Sequence, residues 1–131
     1  LYPYILLFFL IILLPNYNNF NKNKIFIFMS NWHLVCETSE IDFEDLKRFD
    51  YEDKTYCIYH IKDGFFATDG MCTHEDVHLE DGLVIDSEIE CPMHQGIFDI
   101  KTGKVIQDPP CDDLKTYNIK VENNKIYIQI D

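Results

Sequence analysis

The chain has 131 residues, a length that suits one small domain rather than several. Its formal net charge is −12, all 23 acidic residues lie after position 28, and residues 29–131 alone carry −14. Such a surface argues against nucleic acid and anionic membrane as partners and suits a partner with a basic docking face. The five cysteines are odd in number and form no disulfide framework, so a reducing, cytoplasmic setting is expected.

Residues Tyr4 to Leu14 form an apolar run between Pro3 and Pro15. It is about half the ~20 residues that a membrane helix needs. No positive segment precedes it and no small-residue cleavage site follows, as a signal peptide would require. Apart from the two prolines, every residue from Leu1 to Phe28 is Leu, Tyr, Ile, Phe, Asn or Lys, all of which have codons built from A and T alone. Residues 1–28 are therefore expected to be a non-native leader upstream of Met29, with a targeting segment as the competing reading. Residues 29–131 are expected to hold the fold.

Within that domain, Trp32 to Cys36 predicts a first strand. Glu37 to Asp53 is acidic with Ile41, Phe43, Leu46 and Phe49 set into it, and predicts a short helical turn but no long helix. Thr55 to Ile61 is β-branched and aromatic, Lys62-Asp63-Gly64 is a turn, and Phe65 to Thr68 returns as the hairpin partner. Asp81-Gly82 marks another turn, and Ser87 to Glu90 is a lead-in segment. Gly96 to Ile100 predicts a strand turned by Lys101 to Lys104, and Asp108-Pro109-Pro110-Cys111 a stiff loop. Leu114 to Val121 and Lys125 to Ile130 alternate across Glu122-Asn123-Asn124 as a hairpin. No helical period stands out, so the domain is expected to be all-β, with short antiparallel strands.

The chemistry sits in Cys72-Thr73-His74 and Cys91-Pro92-Met93-His94, a C-x-H-x16-C-x2-H pattern. Residues two apart on extended backbone project to one side, so Cys72 and His74 can face a common point. A three-residue step across a turn does the same for Cys91 and His94, with Pro92 and Gly96 bracketing that turn. Thiolates suit iron–sulfur clusters, zinc and Cu(I), and imidazole suits iron, zinc and copper. Zinc fingers usually group their ligands by type. The alternating order here fits a [2Fe–2S] centre in which two His replace two Cys on one iron. Two ferric ions, two sulfides and two thiolates sum to zero beside neutral imidazoles, a charge that tolerates a half-buried site.

From about Met29 to Asp131 the chain resembles the Rieske ferredoxins, close to the soluble ferredoxins that serve aromatic-ring dioxygenases. The resemblance rests on the two boxes, on Leu79 with Gly82, on Gln95-Gly96, Phe98-Asp99 and Thr102-Gly103, and on Pro109-Pro110. It implies an all-β, Rieske-type antiparallel β-sandwich with a small cluster-binding subdomain of two loops. It also implies one [2Fe-2S] cluster, with Cys72 and Cys91 on the inner iron and His74 and His94 on the outer. The expected function is one-electron transfer by a monomer from a flavin-dependent reductase to a terminal oxygenase, with no substrate transformed by the chain itself. In the respiratory branch of the family a disulfide flanks the cluster; Val77 and Met93 stand at the matching positions. That branch also has a Ser and a Tyr that bond to cluster sulfur, where this chain has Gly96 and Phe98. With Glu75, Asp76, Glu80 and Asp81 nearby, the expected potential lies toward the bottom of the roughly −150 to +300 mV Rieske range.

Three rivals remain at this stage. A small subunit like that of nitrite reductase would keep the fold but commonly lacks the four ligands. An oxygenase would need a 2-His-1-carboxylate iron site and a longer chain. A structural zinc module would be colourless. His78 is expected at the rim of the site, His33 and His60 on strands, Cys36 and Cys57 as strand thiols, and Cys111 beside the proline pair as an inert thiol.

Overall fold

A computed structural model describes residues 31–108 and 112–131 of the chain. The leader expected at residues 1–28, and Pro109-Pro110-Cys111 of the stiff loop, lie outside the described residues. The elements in order are β1 (Trp32–Glu37), a 3-10 turn (Thr38–Glu40), β2 (Asp45–Tyr51), β3 (Lys54–Ile61) and β4 (Gly64–Asp69). A second 3-10 turn (Leu79–Asp81), β5 (Leu83–Ile85), β6 (Glu88–Glu90), β7 (Ile97–Asp99) and β8 (Val105–Gln107) follow. The chain closes with β9 (Thr116–Tyr117), β10 (Ile119–Glu122) and β11 (Lys125–Gln129).

These strands form three sheets, ordered β1-β11-β10, β2-β3-β4-β9 and β5-β6-β7-β8. The hairpin pairings β2–β3, β3–β4, β5–β6, β6–β7, β7–β8 and β10–β11 are all antiparallel. The strand that organises them is β3, buried on both faces. Tyr56 and Ile58 enter a core with Cys36, Ile41, Ala67, Ile126 and Ile128, which joins the first two sheets as a sandwich. Cys57, Tyr59 and Ile61 point the other way, into a core with Leu79, Val84, Ile89, Phe98 and Ile100. The alternation follows from the period of two along a strand. Each of these large apolar side chains contributes roughly 1.5–3 kcal/mol by burial.

The polar exceptions are paired. Thr68 is the buried polar residue of the described chain. Its hydroxyl donates to the Asp69 carbonyl at 2.8 Å and receives the Tyr59 hydroxyl at 2.9 Å. Burial pushes the Tyr59 phenol well above its ordinary range, so it stays a neutral donor.

Much of the expected strand pattern is present, and three differences stand out. Glu37–Asp53 holds the predicted short turn but also β2, which runs the full length of β3 from Asp45↔His60 to Tyr51↔Lys54. As an edge strand it keeps its charged side chains in water, where Arg48 Nε donates to Asp50 at 2.9 Å. The segment Leu114–Val121 is two strands, not one. Asn118 separates β9, which pairs with β4, from β10, which pairs with β11. Third, β5 and β8 are strands of three residues that local patterning does not announce.

The final hairpin turns on Asn123 (φ 51°) and Asn124 (φ 61°), the double left-handed pair of a type I′ turn. Gly103 has φ +74°, and a Cβ there would run into the Leu114 carbonyl; the Leu114 N–H donates back to the Gly103 carbonyl at 2.8 Å. This contact returns the chain from β8 to the core. Among the described residues no helix is long and apolar enough to cross a membrane.

Candidate metal centre

Two loops carry the site, one leaving the sandwich core and one inside the short-stranded sheet. The first follows β4. Gly70 N–H donates to the Thr55 carbonyl at 2.9 Å and Leu79 N–H to the Gly70 carbonyl at 2.7 Å, closing the loop at its base. Cys72 N–H donates to the Val77 carbonyl at 2.8 Å, so the segment between them curls back on itself. A side chain at Gly70 would collide with the His78 imidazole, which explains a glycine at this close approach. Leu79, fully buried, anchors the loop's return.

The second loop joins β6 to β7, whose last ladder pair is Glu90↔Ile97. Cys91 N–H donates to the Gly96 carbonyl at 2.8 Å. Pro92 and Gly96 do bracket this turn, but its sharp step is made by His94 (φ 62°) and Gln95 (φ 56°), both left-handed. Two adjacent non-glycine residues in that region cost roughly 1–2 kcal/mol each. Gln107 on β8 helps to hold them, its side-chain amide donating to the Gln95 carbonyl at 3.1 Å.

Cys72 and Cys91 sit at the floors of these loops, 7% and 2% exposed, and their side chains lie within hydrogen-bonding reach of each other. Burial pushes the Cys91 thiol up to about 11, and the Met93 backbone N–H partly opposes the shift. A metal would displace that proton. His74 and His94 stand exposed at the tips, with ring centroids 5.3 Å apart and planes at 88°. The Glu75 carboxylate lies 3.5 Å from His94 Nε2. His74, Glu75 and His94 can bring donor atoms within 4.8 Å of one another, and the thiols fall outside that group.

This segregation bears on the metal. Bonds of about 2.0–2.3 Å around one tetrahedral zinc put all four donors within roughly 4 Å of one another. Here the thiols pair below and the imidazoles pair above, an arrangement that fits two metal atoms, sulfur donors on one and nitrogen donors on the other. The sequence-stated quartet is thus gathered into one end of the molecule, and Glu75, read from sequence only as one of several nearby acids, joins it.

The remaining candidates separate cleanly. His78 is not a rim residue: its side chain is 11% exposed beneath the first loop. Its Nδ1 accepts from Glu80 N–H at 3.0 Å, so Nε2 carries the proton and donates to Thr55 Oγ1 at 2.7 Å. The Thr55 hydroxyl in turn bonds the Asp50 carboxylate and, ahead of Arg48, holds it below the usual carboxylate range. Burial first, then Arg48, lowers the His78 pKa. His60 donates from Nδ1 to the Ile41 carbonyl at 2.9 Å and stacks on Phe65, and His33 lies against Tyr51. Cys36 and Cys57 are buried free thiols, with Cys57 pushed up to about 12 by burial. Cys111 lies outside the described residues.

The profile of the Rieske [2Fe-2S] domain matches residues 31–118. The chain is 37% identical over 101 residues to the ferredoxin component of the 2,4-dinitrotoluene dioxygenase system of Burkholderia sp. strain RASC, covering 77% of this chain and 97% of that one. It is 36% identical to the ferredoxin component of the naphthalene 1,2-dioxygenase system of Pseudomonas putida, over 76% of this chain and 95% of that one. Among solved structures, the ferredoxin of carbazole 1,9a-dioxygenase from Nocardioides aromaticivorans superposes with a TM-score of 0.74 at 25% identity, over 78% of this chain and all of that one. With the fold, the paired donors and these likenesses together, the chain belongs to the Rieske [2Fe-2S] domain family, as an electron carrier of the ferredoxin type.

Proposed function

We propose that residues 29–131 form a single Rieske domain in which Cys72 and Cys91 hold the inner iron of one [2Fe-2S] cluster and His74 and His94 the outer. The observation that carries this reading is the split of the four donors into a buried sulfur pair and an exposed imidazole pair. When bound, the cluster supplies a one-electron couple. The protein's own part is to keep water from the thiolate side and to aim both imidazole edges outward, toward a partner.

The donor is a flavin-dependent reductase and the acceptor the terminal oxygenase of an aromatic-ring dioxygenase system, with this chain acting as a monomer between them. The likeness to three dioxygenase ferredoxins supports this assignment. Association rests on an acidic surface meeting basic partner faces, so raising ionic strength slows electron delivery.

Anaerobic reconstitution with iron and sulfide tests the site. The expected product is brown and gives a rhombic EPR signal on reduction, and Cys72→Ala, Cys91→Ala, His74→Ala or His94→Ala each abolishes it. A colourless product that binds zinc stoichiometrically would reject the assignment.

A further inference from the structure

We infer that Glu75 is a positioning residue that acts through His94: its carboxylate takes the outward imidazole nitrogen, making the two imidazoles unequal and lowering the cluster's potential. This rests on the ligand assignment proposed above. The carboxylate oxygen lies 3.5 Å from His94 Nε2, and the two side chains are 47% and 52% exposed, so the pair sits half-exposed at the site's edge. Glu75 belongs to the first loop and His94 to the second, so the contact crosses between loop tips. Both ends are held. Val77 N–H donates to the Glu75 carbonyl at 2.7 Å, and the left-handed His94-Gln95 step is braced from β8 through Gln107.

No ion pair reaches His74 among the described residues, although one of its ring nitrogens lies within 4.8 Å of the same carboxylate and its ring meets His94 edge-on. A carboxylate that accepts from the outer N–H of a metal-bound imidazole strengthens that ring as a donor. A stronger donor on one iron favours the oxidised state and moves the midpoint down. Asp76, next in the chain and also exposed, contributes only to the general field of the acidic surface, which salt screens.

The test uses the reconstituted full chain and three variants, Glu75→Gln, Glu75→Asp and, as a charge control, Asp76→Asn. Midpoint potentials are measured at low and high salt, and nitrogen hyperfine couplings of the reduced cluster by pulsed EPR. The expected result is a more positive midpoint for Glu75→Gln than for Asp76→Asn, a difference that persists at high salt, with the coupling of one imidazole changed and the other unmoved. Glu75→Asp falls between wild type and Glu75→Gln. Equal shifts for Glu75→Gln and Asp76→Asn that vanish together in salt would overturn the inference while leaving the ligand assignment intact. A wild-type chain that assembles no such cluster overturns the assignment and the inference with it.

Discussion

The two faces of β3 serve two different kinds of core. On one side Tyr56 and Ile58 close a sandwich whose strands, the two-residue β9 apart, are four to eight residues long, with Ile126 and Ile128, all at or below 1% exposed. On the other side Cys57, Tyr59 and Ile61 meet a sheet whose four strands have three residues each, and the same core includes Cys72 and Cys91. The sandwich is held by apolar burial between well-paired strands. The short-stranded end has less ladder per strand and ends in two tight loops, one with strained residues. A metal held by both loops, as proposed, would offset that weakness, so the end that carries the loops should depend on the cofactor more than the sandwich does.

Removing the metal should break the comparison open most widely. In Cys91→Ala, or after chelation, backbone amides of β5–β8 and both loops are expected to exchange at least about a hundredfold faster, while β3 and β11 keep their protection. Uniform loss across all three sheets would mean one indivisible core. The converse perturbation is Ile128→Ala, which empties space in the sandwich core. It should cost about 2–5 kcal/mol in denaturant unfolding and leave the visible spectrum and the midpoint of the loaded protein unchanged. A shifted midpoint would show that the two cores are coupled.

A smaller effect is expected at the joint between them. Thr55 on β3 receives His78 from the base of the first loop and bonds Asp50 on β2. Thr55→Val should cost roughly 1–3 kcal/mol by stranding the half-buried His78 N–H, and should speed cluster loss without changing the spectrum. The smallest effect is on pH. His78 has a folded pKa below 6.5 because burial disfavours its charged form. Its contribution is therefore fully present above about 6.5 and is lost as pH falls through the folded value, with a slope of at most about 1.4 kcal/mol per pH unit. His78→Gln should flatten that limb of the stability–pH curve, measured by denaturant unfolding.

Local chemistry was enough for several elements. The two Cys-His boxes and their spacing were readable as a Rieske pattern because a metal site needs specific atoms at short loops, and side chains of that kind are scarce in the chain. The β3–β4 hairpin and the Asn123-Asn124 turn were readable because β-branched residues and left-handed asparagines carry strong backbone preferences. His78 was misplaced at the rim because nothing in its neighbours along the chain reveals Thr55, 23 positions earlier, as its partner.

What the sequence by itself determined, then, was the order and spacing of the Cys-His boxes, the strand-rich character and the acidic composition, since each resides in residue identity or in spacing of a few positions. The tertiary structure alone decided that the charged segment Asp45–Tyr51 is a strand, because its partner β3 supplies the ladder that its own residues do not favour. It also decided that Asn118 divides two sheets, that β3 feeds two cores, and that Glu75 meets His94. Those outcomes depend on contacts between segments distant in the chain, whose free energy appears only when the segments are brought together.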